Sequence, residues 1–527
     1  MKEKEIHCLL SIVLFITILF LTSIFCVEDM QIKKVSFDWY IWILIISIIL
    51  LILTLIVTLI VLNKNYTGET VHISKEDLHY KYNFESAKEI YIAKDVVNIP
   101  YKHFYKLEKL QYVEFEGENT IISENAFEGC KKLERVYLPS KLEKIRNYTF
   151  KDCKKLKNVT IPDNVTRIGA GAFAGCDKLT IVTIDKHVTK IGIGAFKGCE
   201  NLEKIRVPDY VTKIGDETFC GCKGLTSVTI GNGVEEIGVG AFKNCKKLEK
   251  ISISDSVTRI GASAFAGCKG LTSVTIGNGV IKIEDNAFSG CDKVETLIIG
   301  DGLTSLDNLP ITPALKSITI GNNVTEIGMG TFKNCEKLEE ITIPDSVTKI
   351  GDGAFAGCKG LTSVTIGSGV EEIEKDTFSG CKKLETLVIG DGLTSLDNLP
   401  ITKALKSITI GSGVTKIGAG VFADCKGLTS VTIGSEVKEI GMGAFKDCKK
   451  LEKISIPDSV TKIGKQAFKG CEKLANVTFA DTNNWYYTSN NDYTRGKKVN
   501  DISDLKNKLK EGKYYLYKKE AENEKSN

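Results

Sequence analysis

A unit of 23 residues, copied again and again, decides what this chain can fold into. Cys130, Cys153, Cys176, Cys199, Cys222, Cys245, Cys268 and Cys291 follow one another at that interval. Cys335, Cys358 and Cys381 resume after a gap of 44 residues, and Cys425, Cys448 and Cys471 after another. Around each cysteine the frame reads F-x-x-C-x-x-L-x-x-V-x-I-x-x-x-V-x-x-I-x-x-x-A-F. Its phenylalanine position runs from Phe104 to Phe468 and marks seventeen units. Two of them, starting at Leu309 and Leu399, are cut to 21 residues and carry Thr312 and Thr402 in the cysteine place. A chain this long would otherwise suggest several globular domains. A repeat array instead grows by stacking, each unit touching only its neighbours. Four-unit blocks are duplicated as well: Asp301–Gly321 and Asp391–Gly411 differ only where Pro313 is matched by Lys403.

One unit dictates its own shape. Leu225, Val228 and Ile230 end in strict alternation with β-branched residues, the pattern of a half-buried strand. Ser227 and Thr229 then face water. Gly231, Asn232 and Gly233 predict a turn in which positive φ is cheap. Val234 and Ile237 mark a second short extended piece. Ala241, Phe242 and Cys245 fall at helix-like spacing and predict a tight return. Stacking at about 4.8 Å joins these residues into continuous ladders, roughly 80 Å long over all the units. The expected fold is a repeat solenoid, mainly β with short helical or 3-10 turns.

The frame A-F-x-x-C-x-x-L-x-x-V-x-I-x-x-x-V-x-x-I-G resembles the BspA-like leucine-rich repeats of surface proteins, over about residues 100–480. The ending NNWYYTSNNDYTRGKKVNDISDL is similar to the C-termini of such proteins. The resemblance implies protein–protein recognition or adhesion, often at a cell surface.

The chain departs from a plain secreted repeat protein at its start. Residues 8–27 and 41–62 are two charge-free apolar runs, each long enough to span a bilayer. Trp39, Tyr40 and Trp42 sit at one edge of the second, as interfacial aromatics do. The first run also suits a cleaved signal, although no small-x-small cleavage site follows it. The favoured reading is a two-span anchor over 1–65, a linker and N-terminal cap over 66–100, the solenoid over 101–480 and a C-terminal cap and tail over 481–527. Lys2, Lys4, Lys64, Lys75 and Lys81 flank the hairpin while Lys33 and Lys34 lie in its loop, which leans the array towards the cytoplasm. The family resemblance leans it towards the surface.

A formal charge of +4 gives no push towards nucleic acid. His7, His72, His79, His103 and His187 fall in no metal-ligand or catalytic spacing, so surface or capping roles are expected. Cys220 and Cys222 form the one close pair, with no second pair nearby. The in-register cysteines read as buried, reduced thiols. No catalytic residue, cofactor, metal or small-molecule substrate is expected, and Glu235 and Glu236 read as solvated charge. The candidate partner-binding face is therefore the outward side of the main strands: Lys204, Ser227, Thr229, Lys250, Ser252, Ser273, Thr275, Thr319, Thr365, Thr409 and Thr432. Threonine is also simply a good strand residue on a solvated face, and either reading accounts for the pattern. The expected function is a membrane-anchored repeat protein that recognises or adheres to protein partners; the alternative is a structural or self-associating scaffold without a specific ligand.

Overall fold

Each unit closes one turn of a parallel stack. The computed structural model describes residues 69–79, 84–397, 399 and 402–519, with single helical positions at 42, 45, 46, 48, 49, 52 and 53. The apolar runs 8–27 and 41–62 lie outside these residues, apart from those single positions. Among the described residues no helix is long and apolar enough to cross a membrane.

A main strand opens every rung, as in Lys204–Arg206, Ser227–Thr229 and Ser273–Ile276. Neighbouring main strands pair in parallel and in register: Lys204 faces Ser227, Ile205 faces Val228 and Arg206 faces Thr229. Val, Leu or Ile points in at the centre of each strand while its neighbours point out, so the stack shares one hydrophobic core from Val71 to Leu516. A second strand of two residues follows, as in Lys213–Ile214 and Glu236–Ile237, and builds its own parallel ladder.

The return segment differs from the helical or 3-10 turn expected. Cys245 N–H bonds Phe242 C=O at 3.2 Å, but two residues near each phenylalanine, here Gly240 (φ 60) and Asn244 (φ 62), are left-handed. Left-handed residues stop a helix from propagating. The turn's amides bond across rungs instead, as Phe242 N–H to Ala264 C=O at 2.7 Å. The glycines of the Gly231-Asn232-Gly233 turn also serve another purpose than positive φ. A Cβ at Gly233 would collide with the carbonyl oxygen of Asp209 in the rung before. Close backbone approach, not handedness, requires glycine there.

Phenylalanine fills the return corner. Phe127, Phe150, Phe173 and Phe196 stack with ring centroids 5.4–5.5 Å apart and planes within 11°. The column runs from Phe104 to Phe288, then from Phe332 to Phe378, then from Phe422 to Phe468. It breaks at the two short units. There Leu309 is half-buried with Pro310 buried beside it, and Thr304–Leu306 form no second strand.

The repeat pattern changes at both ends. Thr70–Ile73 and Glu89–Ile92 add two main strands before the seventeen units, and Phe84 packs edge-on against Phe104 at 5.5 Å. His103 lies against Phe84 and Phe104, and burial lowers its pKa. At the far end Tyr515–Lys518 pairs antiparallel with the last second strand, Lys462–Ile463, and Trp485–Thr488 pairs with it in turn. Trp485 packs edge-on against Phe479 at 5.6 Å. A helix, Ile502–Glu511, is capped by Asp501, whose carboxylate accepts the Asp504 amide at 2.8 Å.

Candidate recognition surface

The outward residues of the main strands form two parallel columns. Register places Lys204 beside Ser227 and Lys250 beside Ser273 in the first column. It places Ser252 beside Thr275, and Thr409 beside Thr432, in the second. Lys204, Ser227, Thr229, Lys250, Ser252, Thr319 and Thr432 are exposed; Ser273, Thr275, Thr365 and Thr409 are half-buried. All of them share one side of the molecule, because strand alternation sends every one away from the core.

The column is less uniform than a hydroxyl pattern suggests. Arg206 stands in it beside Thr229. Ile298 separates Thr275 from Thr319, and Val388 separates Thr365 from Thr409. Nearer the N-terminus the outward side is aromatic: His72 stacks on Tyr91 at 4.9 Å, and Tyr112 lies 5.8 Å from Tyr137. A strict search for threonine overlooks these departures, although the frame locates each of them.

A groove of about 1020 Å³ runs along the C-terminal ends of five main strands. Thr229, Ser252, Thr275 and Thr319 line one wall; Asn232, Asp255, Asn278, Asp301 and Asn322 line the turns beside it. Four of those turn residues are locked to one another, and the Asn232 amide bonds Asp209 of the rung before at 3.0 Å. Asp255 Oδ1 accepts the Asn278 amide at 2.7 Å, Asn278 Oδ1 the Asp301 amide at 3.1 Å, and Asp301 Oδ1 the Asn322 amide at 2.7 Å. Sequence reading took Asn232 as a turn former alone; its neighbours form an amide-binding ladder that fixes the groove's rim. The groove's polar atoms are therefore preorganised, and its donors and acceptors repeat from rung to rung.

The cysteines lie on the opposite, interior side. All fourteen in register are free, and nearly all are buried. Each thiol donates to a main-chain carbonyl of the rung before: Cys176 to Phe150 at 3.2 Å, Cys268 to Phe242 at 3.2 Å. Cys335 uses Thr312 instead, at 3.4 Å. Burial pushes the Cys130 and Cys291 thiols up to about 12, so they stay protonated and unreactive at neutral pH. Cys220, half-buried, stands apart from this ladder. Glu236, read above as solvated charge, bridges Lys213 at 2.9 Å and Arg259 at 3.1 Å across rungs. Among the described residues no group of three or more His, Cys, Asp or Glu side chains is placed to hold a metal ion.

In-register main strands, a short second strand and a turn closed every 23 residues define a leucine-rich repeat solenoid. The chain belongs to the BspA type leucine rich repeat family, whose model matches residues 78–203, 189–309, 312–400 and 401–519. Among solved structures it is similar to a leucine-rich repeat protein from Bacteroides ovatus, with 31% identity over 61% of this chain and 86% of that one (TM-score 0.38). It is also similar to a leucine rich cell surface protein from Faecalibacterium prausnitzii, with 25% identity over 79% of this chain and 84% of that one (TM-score 0.26). A leucine-rich repeat protein of T. pallidum shares 30% identity over 34% of this chain and 83% of its own (TM-score 0.30). A comparison with curated proteins gives no match.

Proposed function

We propose that this protein is a membrane-anchored recognition or adhesion scaffold, which binds protein partners along the outward side of its main strands. The observation that carries this reading is the groove of about 1020 Å³ on that side, with its rim held rung to rung by Asp and Asn side chains. Regular, polar, extended surfaces are what repeat proteins use to hold extended partners, because weak contacts add along the stack. Membership of a family that includes cell-surface proteins supports the same reading. The apolar runs 8–27 and 41–62 are the proposed anchor, and their length is its support. No catalytic role is assigned.

The test is binding of beads coated with the protein to cultured cells. Replacing Lys204, Thr229, Lys250 and Thr275 together by Glu is expected to lower bead adherence at least tenfold with unchanged circular dichroism. The same charge change of −6 placed on the exposed return turns, by Lys246→Glu, Lys269→Glu and Lys333→Glu together, is expected to alter adherence little. The reverse order of effects would move the recognition surface off the main strands and defeat the proposal.

A further inference from the structure

The second strands carry a different signal from the main ones. Their outward residues stack in register as Lys144, Arg167 and Lys190, then Lys213, Glu236, Arg259 and Lys282. Like charges in direct register repel. Elsewhere on this edge the chain neutralises them: Lys213 pairs with Glu236 at 2.9 Å, Arg259 with Glu284 at 2.6 Å, Lys349 with Glu374 at 2.6 Å and Lys416 with Asp397 at 3.0 Å. Lys144, Arg167 and Lys190 are exposed and, among the described residues, make no ion pair. Three adjacent cations held at rung spacing without an internal counter-charge call for an external one.

The same edge exposes aliphatic side chains. Ile193 is 59% exposed and Val239 45% exposed, two residues beyond the inward Ile191 and Ile237. Gly192 lies between Lys190 and Ile193, so no side chain screens Ile193 from the basic column, whereas Val239 stands on the rung of Glu236, with Asp216 in the equivalent place between the two aliphatics. Met329, in the same place on a later rung, is 80% exposed. Val239 and Met329 stand on rungs that carry Glu236 and Glu326, so Ile193 is the one of the three set beside a cation. A cluster of cations with an exposed aliphatic at its edge is the chemistry of an interfacial membrane contact, where charge meets headgroup and the short apolar side chain enters the boundary.

We propose that the second-strand edge of the solenoid around Lys144, Arg167 and Lys190 is a contact surface for an anionic bilayer, with these three side chains facing the headgroups and Ile193 entering the interface. This rests in part on the anchoring reading. Only residues 63–69 separate the second apolar run from the first strand, a reach of at most about 25 Å. The edge then works as a second attachment, which holds the solenoid on its side against the lipid.

The experiment incorporates the full chain into nanodiscs of phosphatidylcholine, alone or with phosphatidylserine added, and follows amine-reactive labelling lysine by lysine. Lys144 and Lys190 are expected to label several-fold more slowly when phosphatidylserine is present, with high salt restoring the rate and Lys250 on the main-strand side unchanged. Arg167→Glu is expected to weaken that protection, and so is Ile193→Asp. Equal rates for Lys144 and Lys190 in the two lipids, or equal slowing of Lys250, overturns the proposal, and the unaltered protein alone suffices for that comparison. Alkaline extraction from vesicles tests the anchor separately: extraction together with protection by phosphatidylserine refutes the anchor and keeps the contact surface.

Discussion

The cysteine of each unit is a hydrogen-bond donor as much as a small apolar filler. Cys268 is fully buried and its thiol donates to Phe242 C=O, which also accepts the Cys245 amide. Serine at this site keeps the Phe242 carbonyl as an acceptor within reach, so its hydroxyl is not orphaned. Cys268→Ser is expected to cost about 1 kcal/mol, since it loses sulfur's bulk and polarisable contacts but retains a bond. Cys268→Val, which adds a branched side chain to a closely packed ladder and removes the donor, is expected to cost about 1–3 kcal/mol. Urea denaturation of the two variants checks the order; a serine variant less stable than the valine one would show that the thiol's bond contributes nothing.

At the level of single elements, the chain spends its least regular sequence on closing its ends. The C-terminal helix is held by a reciprocal cap: Asp501 accepts the Asp504 amide at 2.8 Å, and Asp504 accepts the Asn500 amide at 3.2 Å. Asp501→Ala is expected to cost the helix about 1 kcal/mol. Faster amide exchange confined to Ile502–Glu511 is the expected readout; acceleration reaching the Phe468 rung would show that the helix holds the last turn in place. Main strands, second strands and inward residues were legible in the sequence because they repeat, so that noise at one unit is averaged by the others. The return segment was not. Apolar spacing at Ala241, Phe242 and Cys245 looks helical, while the left-handed backbone at Gly240 and Asn244 is set by bonds to the next rung. The groove's Asp and Asn ladder was hidden for the same reason, since its partners lie 23 residues away: Asp255 and Asn278 form a pair only after stacking. The unpaired basic column was likewise invisible, because lysines at that spacing look the same whether or not a glutamate stands alongside.

On the scale of the whole molecule, the rungs are interchangeable at their seams. Phe265, Phe355 and Phe445 occupy one place in successive blocks, and each meets the rung before through the same bonds: Phe242 N–H to Ala264 C=O, Phe332 N–H to Ala354 C=O and Phe422 N–H to Ala444 C=O. Deleting residues 355–444 should therefore join Ala354 to Phe445 without a mismatch. The shortened protein is expected to fold, to keep its circular dichroism per residue and to be about 19 Å shorter by small-angle scattering, at about 4.8 Å for each rung removed. Aggregation of the deletion variant would mean that the duplicated block makes contacts beyond its neighbours. The two 21-residue units carry a last consequence. They interrupt the phenylalanine column, and the first of them, at Thr304–Leu306, adds no second strand, so the interfaces around them are expected to be the weaker ones. Under tension along its axis the molecule should not unravel as one spring. It should yield in blocks, parting first at these two joints, so that the aromatic N-terminal rungs stay folded after both have opened.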